Sequence, residues 1–311
     1  MPQLNYPHIA EMVFNTPLLA KGELVENVAQ YVAARITGAE KSANGSPQEL
    51  SAREIQVIPL GNSENDGSMA VIAVHGILVP RRGSMTADCS EIMSFELLRN
   101  QVSKGLNDNK IKEIVLDIQS GGGTAQAAFE CAAFIHEAQK QKPIRAVINY
   151  NAYSAAYLIA SACTEIIISE TGGVGSIGVY QKRLDISAYY KDMGVIMHTF
   201  YRGAKKVFMH PDLEMSDEER EDIEVGIEKT YQQFVNAVAK YRNMSAKEVQ
   251  ETEAACFSGQ EAIDLKLADT LSSDPQAAIN SVAKRLTTTS STPKLTSIST
   301  RAAALQYLHT N

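Results

Sequence analysis

The sequence predicts an α/β protein built around a largely parallel sheet, and three observations carry that prediction. Between Met69 and Tyr201, short apolar or β-branched runs alternate with helical segments, most of them ten or more residues long. Parallel neighbours need crossover connections of that size, and helices usually provide them. Glycine and proline stand at the junctions, with Gly121-Gly122-Gly123 directly after one run and Pro143 directly before another. Finally, a chain of 311 residues with 44% hydrophobic and 21% charged residues can bury a core without disulfides or a structural metal.

Taken in order, residues 1–68 read as an N-terminal arm and linker. Leu24, Val25, Val28, Tyr31, Val32 and Ile36 recur at helical spacing, which predicts a helix over about 22–37. Residues 39–68 are rich in Gly, Ser, Asn and charge, the composition of a linker. The pattern then changes. Strands are predicted at Met69–Val79, Glu113–Ile118, Ile144–Tyr150, Glu165–Ser169 and Val195–Tyr201. Helices are predicted at Ser90–Leu106, Ala125–Ala138, Ser154–Cys163 and Leu184–Met193. Ser216 and Glu219 spell a capping box for a long helix that runs to about Tyr241. Shorter helices follow at Ser245–Thr252 and Gly259–Leu267. From Thr287 the Thr/Ser-rich tail has too little apolar surface to order itself, so a domain over 69–285 with a disordered 286–311 is expected.

Composition narrows the function. A net charge of −7 without a basic stripe argues against nucleic acid as a partner. The apolar run at Met69–Val79 is interrupted by His75 and Gly76 and is far shorter than the roughly 20 residues of a membrane span. The N-terminus has neither the basic nor the apolar region of a secretory signal, so a cytoplasmic location is expected, with no membrane partner. Cys89, Cys131, Cys163 and Cys256 show no CxxC spacing and read as reduced, mostly buried thiols. No cofactor or metal is expected.

Chemistry is concentrated at three places. The first is the Gly121-Gly122-Gly123 run, where backbone N–H groups can approach an anion without interference from a Cβ. Neither a Walker A ending nor a GxGxxG spacing accompanies it, so a nucleotide loop is disfavoured. The second is Ser154, at the junction between a strand and an Ala-rich helix; alone, it reads more simply as the helix N-cap. The third is the base that such a hydroxyl needs. Of the six histidines, His75 and His136 lie in a strand and an amphipathic helix, and none stands in a GxSxG-linked triad. Lys206, after Gly203-Ala204-Lys205, is the other option, because a desolvated amine loses its charge and becomes a base. Taken by itself this segment reads as a solvated basic turn.

Together these segments resemble a specific family. Ser120-Gly121-Gly122-Gly123, Tyr153-Ser154-Ala155-Ala156-Tyr157, Gly175-Ser176-Ile177-Gly178-Val179 and Gly203-Ala204-Lys205-Lys206 occur in the order seen in signal-peptide peptidase A (protease IV) serine peptidases. Phe257-Ser258-Gly259-Gln260-Glu261-Ala262 and Leu267-Ala268-Asp269 extend the resemblance, which covers roughly 69–271. Pro7-His8-Ile9-Ala10, Phe14-Asn15 and Pro17-Leu18 are similar to the lambda-type phage head maturation branch.

The resemblance implies a ClpP/crotonase-like spiral of βαβ units. It implies Ser154 as nucleophile, Lys206 as general base and Ser176 as the hydroxyl that orients the amine. Gly123 N–H and Ala155 N–H are the implied oxyanion donors, with Gly122 beside them. Here Gly121 replaces the family's usual proline, and Lys205 competes with Lys206 for the role of base; the third position after Gly203 is the family's, which selects Lys206. The implied partners are peptide or protein substrates, with capsid, portal or scaffold proteins foremost, and copies of the chain itself in a ring that shares active sites between subunits. In the phage setting the location becomes the host cytoplasm or the procapsid interior. The tail is a candidate for self-cleavage, and the scaffold segment of lambda-type genes is expected to be minimal or absent. Three rivals stand beside this reading: a bacterial peptidase of the same family without a membrane anchor, an acyl-CoA-binding crotonase-fold protein, and an idle shell component.

Overall fold

The computed structural model describes residues 17–20, 55–60, 67–81 and 92–290. The first half contains β1 (Leu18–Ala20), β2 (Gln56–Pro59), β3 (Ser68–His75), α1 (Phe95–Asn107), β4 (Ile111–Ser120), β5 (Gly122–Thr124), α2 (Ala128–Ala138), β6 (Ile144–Tyr153) and α3 (Ala155–Ser161). The second half contains β7 (Glu165–Ser169), β8 (Gly173–Gly175), α4 (Ser187–Asp192), α5 (Asp217–Arg242), α6 (Ala246–Gln250), β9 (Cys256–Ser258), α7 (Gly259–Asp264), β10 (Thr270–Ser272) and α8 (Pro275–Ser290). The main path of the sheet is β10-β7-β6-β4-β3-β2. Every neighbouring pair on it is parallel except β2–β3, at the edge. The α/β class with a mostly parallel sheet is therefore as expected, and the units β3-α1-β4, β4-α2-β6 and β6-α3-β7 are its βαβ repeats.

Both faces of this sheet are covered. Alternation along β3 sends Met69 and Val71 to one side and Ala70, Ile72 and Val74 to the other. On the first side, α8 packs Ala278, Ile279 and Val282 against Val115, Val147 and Ile167. On the second, Phe95, Leu98, Ile135, Leu158, Phe234 and Val238 of α1, α2, α3 and α5 close over Ile114, Leu116 and Ile148. Burial on both faces explains why the strands read as continuous apolar runs. Each fully buried Ile or Leu contributes about 2 kcal/mol.

β6 forks. Its Arg145–Val147 stretch pairs with β7, whereas Asn151–Tyr153 pairs with β8. Between these stretches, Ile118 of β4 faces Ile148 but the next residue, Gln119, faces Asn151, so Asn149 and Tyr150 form a bulge. Tyr150 takes φ 67° there. Such a bulge bends a strand, and this one carries the end of β6 from β7 onto β8.

Several expectations are corrected. α1 begins at Phe95 because Ser94 Oγ accepts from Leu97 N at 3.1 Å. The region read as a linker contains β2, which pairs antiparallel with β3 from Gln56↔Val71 to Pro59↔Ser68. The helix at 184–193 shrinks to α4, with no buried residue to extend it. Val195–Tyr201 has no strand partner among the described residues, so the β-prone run stays irregular. Ser216 caps α5, but Glu219 does not return the bond. Its buried carboxylate accepts instead from Arg183 Nε at 2.9 Å and Met209 N at 2.7 Å. A complete capping box forms at Ser245 and Glu248 of α6. α8 runs through Ser290, past the expected domain boundary. The helix expected at 22–37 and the tail beyond 290 lie outside the described residues.

Candidate active site

Parallel register assembles the site. Ser120 of β4 lies beside Ala152 of β6, and Tyr153 of β6 lies beside Gly175 of β8. The glycine run, Ser154 and Ser176 therefore leave the same, C-terminal end of three adjacent strands. Ligands and reactive groups gather at that end in open α/β sheets.

Ser154 sits at the N-cap position of α3, yet its side chain makes no capping bond, which removes the simpler reading. Its backbone holds it firmly: Ser154 N donates to Gly175 O at 2.9 Å, and its carbonyl accepts from Leu158 N at 2.9 Å. φ is 55° and ψ −117°, a region that L-residues rarely occupy. The residue is 0% exposed, and Oγ has no hydrogen-bond partner among the described residues. A strained backbone and an unsatisfied buried hydroxyl each cost about 1–3 kcal/mol. Costs of that size persist where a fold is built around function.

Ser176 stands next to it with φ 55°, anchored by Ser176 N donating to Ala255 O at 2.8 Å. Ala155 is the first residue of α3, so its N–H has no intrahelical acceptor. The two following glycines of the loop are required sterically. At Gly122 (φ 106°) a Cβ would lie 2.2 Å from Leu19 O, and at Gly123 one would lie 1.9 Å from Leu78 O.

The surroundings are apolar. Desolvation raises the Tyr157 phenol and the Cys163 thiol well above their ordinary values and pushes Cys131 up to about 12. Tyr157 OH, fully buried, donates to Leu267 O at 3.1 Å. An amine brought into such surroundings is driven toward its neutral form.

Lys206 is not brought to Ser154 within the single chain. It lies exposed on a 3-10 turn, Ala204–Val207, after Gly203 at φ 87°. Among the described residues its amine has no recorded hydrogen bond or ion pair. Lys205 is different: Asp222 of α5 binds it, and that bond raises its pKa and keeps it charged. Two of the described histidines are engaged elsewhere. His75 Nε2 is 2.9 Å from Asp117 Oδ2, and His136 stacks on Tyr241 with ring centres 4.7 Å apart. His8 and His309 lie outside the described residues, as does Cys89; Cys131 and Cys163 are buried and Cys256 is exposed.

One participant was not foreseen. β1 pairs antiparallel with β5, placing Leu19 opposite Gly123. Its sequence signal was slight, three apolar residues after Pro17. No helix among the described residues is long and apolar enough to cross a membrane.

Residues 136–288 match the family model described as Peptidase family S49. The chain is 31% identical over 278 residues to the capsid assembly protease C of Escherichia phage lambda, a match covering 86% of this chain and 63% of that protein. It is 36% identical over 203 residues to the head-tail preconnector protein GP5 of Enterobacteria phage P21, covering 65% of this chain and 40% of that one. The chain thus spans less than two thirds of either relative. A ClpP1 mutant from Listeria monocytogenes superimposes with a TM-score of 0.40 and 13% identity, over 67% of this chain and 93% of that chain.

Proposed function

Residues 136–288 form a peptidase family S49 domain, and from that premise we propose that the chain is a serine endopeptidase with a Ser154–Lys206 dyad completed between subunits. The carrying observation is the unpartnered, buried Ser154 Oγ at a strained strand–helix junction, flanked by the glycine loop and Ser176. In the cycle, the neutral Lys206 amine of a neighbouring copy takes the Ser154 proton as Oγ attacks the scissile carbonyl. Gly123 N–H and Ala155 N–H hold the tetrahedral oxyanion, each well-placed donor contributing about 3–4 kcal/mol. Ser176 orients the amine. Protonated Lys206 then gives its proton to the leaving amine, and water repeats the sequence on the acyl-enzyme.

Sharing between copies is supported by the segment that leads to Lys206. Met193, Ile196, Met197, Phe200 and Tyr201 are all exposed, Ile196 by 77% and Phe200 by 92%. An apolar patch of this kind marks an interaction surface, and covering it would carry Lys206 out of water. Capsid, portal or scaffold proteins are the proposed substrates, on the strength of the two phage relatives.

Mixing two inactive chains tests the dyad. Ser154→Ala and Lys206→Ala each abolish peptide cleavage. In a one-to-one mixed assembly, about a quarter of the sites combine an intact serine with a neighbour's intact lysine, and that share of activity returns. Full inactivity of the mixture would place both groups in one chain, and activity in either single variant would remove the dyad. For the substrates, co-expression with capsid and portal proteins should shorten them by intact mass only when Ser154 is present.

A further inference from the structure

β1 is held on both edges. On one edge it is antiparallel to β5, with Leu18↔Thr124, Leu19↔Gly123 and Ala20↔Gly122 in register. On the other edge Leu18 N donates to Tyr180 O at 2.7 Å and Tyr180 N donates to Leu18 O at 2.9 Å. Successive backbone groups in a strand point to opposite edges, so those of Leu19 face β5. The far side of β5 gives the same answer. Leu78 N donates to Gly122 O and Thr124 N donates to Leu78 O, both at 3.0 Å, which leaves Gly123 N–H directed at Leu19. The amide assigned to the oxyanion thus faces the Leu19 backbone.

Both walls of this slot leave directly from the site: β5 follows Ser120-Gly121, and Tyr180 ends the segment that starts at Ser176. A strand added between two such edges gains main-chain hydrogen bonds for affinity and pockets on alternate side chains for selectivity. The pocket here is filled. Leu19 is 0% exposed within the main core, while Leu18 and Ala20 point the other way and pack on Tyr180.

We propose that the slot between β5 and Tyr180 is the substrate groove and that β1 occupies it as an internal substrate mimic. The groove takes an extended peptide with a leucine-sized side chain opposite Gly123, and a substrate enters by displacing β1. This rests on the Ser154 reading for its catalytic meaning, while the occupancy of the groove can be read without catalysis.

The test locks the strand. Leu18→Cys with Tyr180→Cys joins a hydrogen-bonded antiparallel pair whose Cα atoms stand about 5.5 Å apart, within disulfide reach. The full chain also carries Ser154→Ala, Cys89→Ser and Cys256→Ser. The probe is a fluorescein-labelled peptide with the sequence of residues 16–21, Thr-Pro-Leu-Leu-Ala-Lys, followed by anisotropy. The reduced chain binds it, and oxidation weakens binding by about tenfold or more. Replacing the second leucine of the peptide by aspartate abolishes binding to the reduced chain. Equal affinity in both redox states, or no binding to the reduced chain, overturns the proposal.

A companion variant, Leu18→Pro, removes the amide bond to Tyr180 and part of the packing on it, and raises peptide affinity about fivefold or more; an unchanged affinity again counts against a displaceable strand. Labelling of Ser154 by a fluorophosphonate, in chains that retain it, reads the catalytic claim separately. Peptide binding without labelling sinks the serine and leaves the groove standing.

Discussion

Ser154 and Lys206 sit in regions of opposite physical character. Around Ser154 every neighbour is set by the register of β4, β6 and β8, and the residue is wholly buried beneath an apolar helix layer. Around Lys206, α4 has no buried residue, the run from Val195 to Tyr201 lacks a strand partner among the described residues, and Phe200 is 92% exposed. The first region spends stability on strain and an unpaired hydroxyl, which a well-packed sheet can tolerate. The second holds apolar surface whose burial is not yet realised. In the proposed dyad, the nucleophile is therefore a property of one chain, and the base becomes one only when something covers the arm that carries it.

The largest expected effect breaks the first region. Ser154→Gly should lower peptide cleavage by about four orders of magnitude while raising stability by about 1 kcal/mol, because glycine accepts φ 55° and leaves no buried hydroxyl. Kinetics and chemical denaturation read the two together; a destabilised variant would refute the idea of stored strain. Next comes the second region. Ile196→Asp with Phe200→Asp should weaken self-association about a hundredfold and remove activity, with little change in the unfolding of the single chain. Sedimentation velocity decides it: intact oligomers in the double variant would move the interface elsewhere.

A smaller effect separates the loop from both. Gly123→Ala forces a Cβ to within 1.9 Å of Leu78 O, and relieving that overlap should cost about 2 kcal/mol, seen as a lowered denaturation midpoint. The smallest effect lies far from the site, where pH acts on one cap. The Ser245 backbone N–H, followed by the Lys266 amine, lowers the Glu248 carboxyl from 4.5 to about 2. A depressed carboxylate adds stability above its unfolded pKa, so this contribution is complete above pH 4.5 and fades as the pH falls toward about 2. An NMR titration of Glu248 with an ordinary midpoint would contradict the cap.

Much of this was open to inspection before any fold was known. Ser154 and the glycine run stood out because strand–helix junctions have a local grammar that survives in sequence, whereas Ser176 was named only through the family resemblance. β8, β9 and β10 were missed because three residues cannot display a period, and α8 because its apolar face at Ala278, Ile279 and Val282 follows a polar, serine-rich turn. The capping partner of Ser216 was misassigned since Arg183, 36 residues away in the chain, outcompetes a local backbone amide for Glu219.

The linear order of residues by itself determined the class of sheet, the strand–helix junction at Ser154 and the two glycines that let other backbones approach. Those features depend on neighbours within a few positions, on period and on steric allowance. Tertiary structure alone decided that Ser154 does not cap its helix, that Lys205 is held by Asp222, and that Leu19 faces Gly123. The last two are settled by which distant groups meet in a hydrogen bond, and the first by the Gly175 carbonyl that holds the Ser154 backbone; those meetings exist only once the chain has folded.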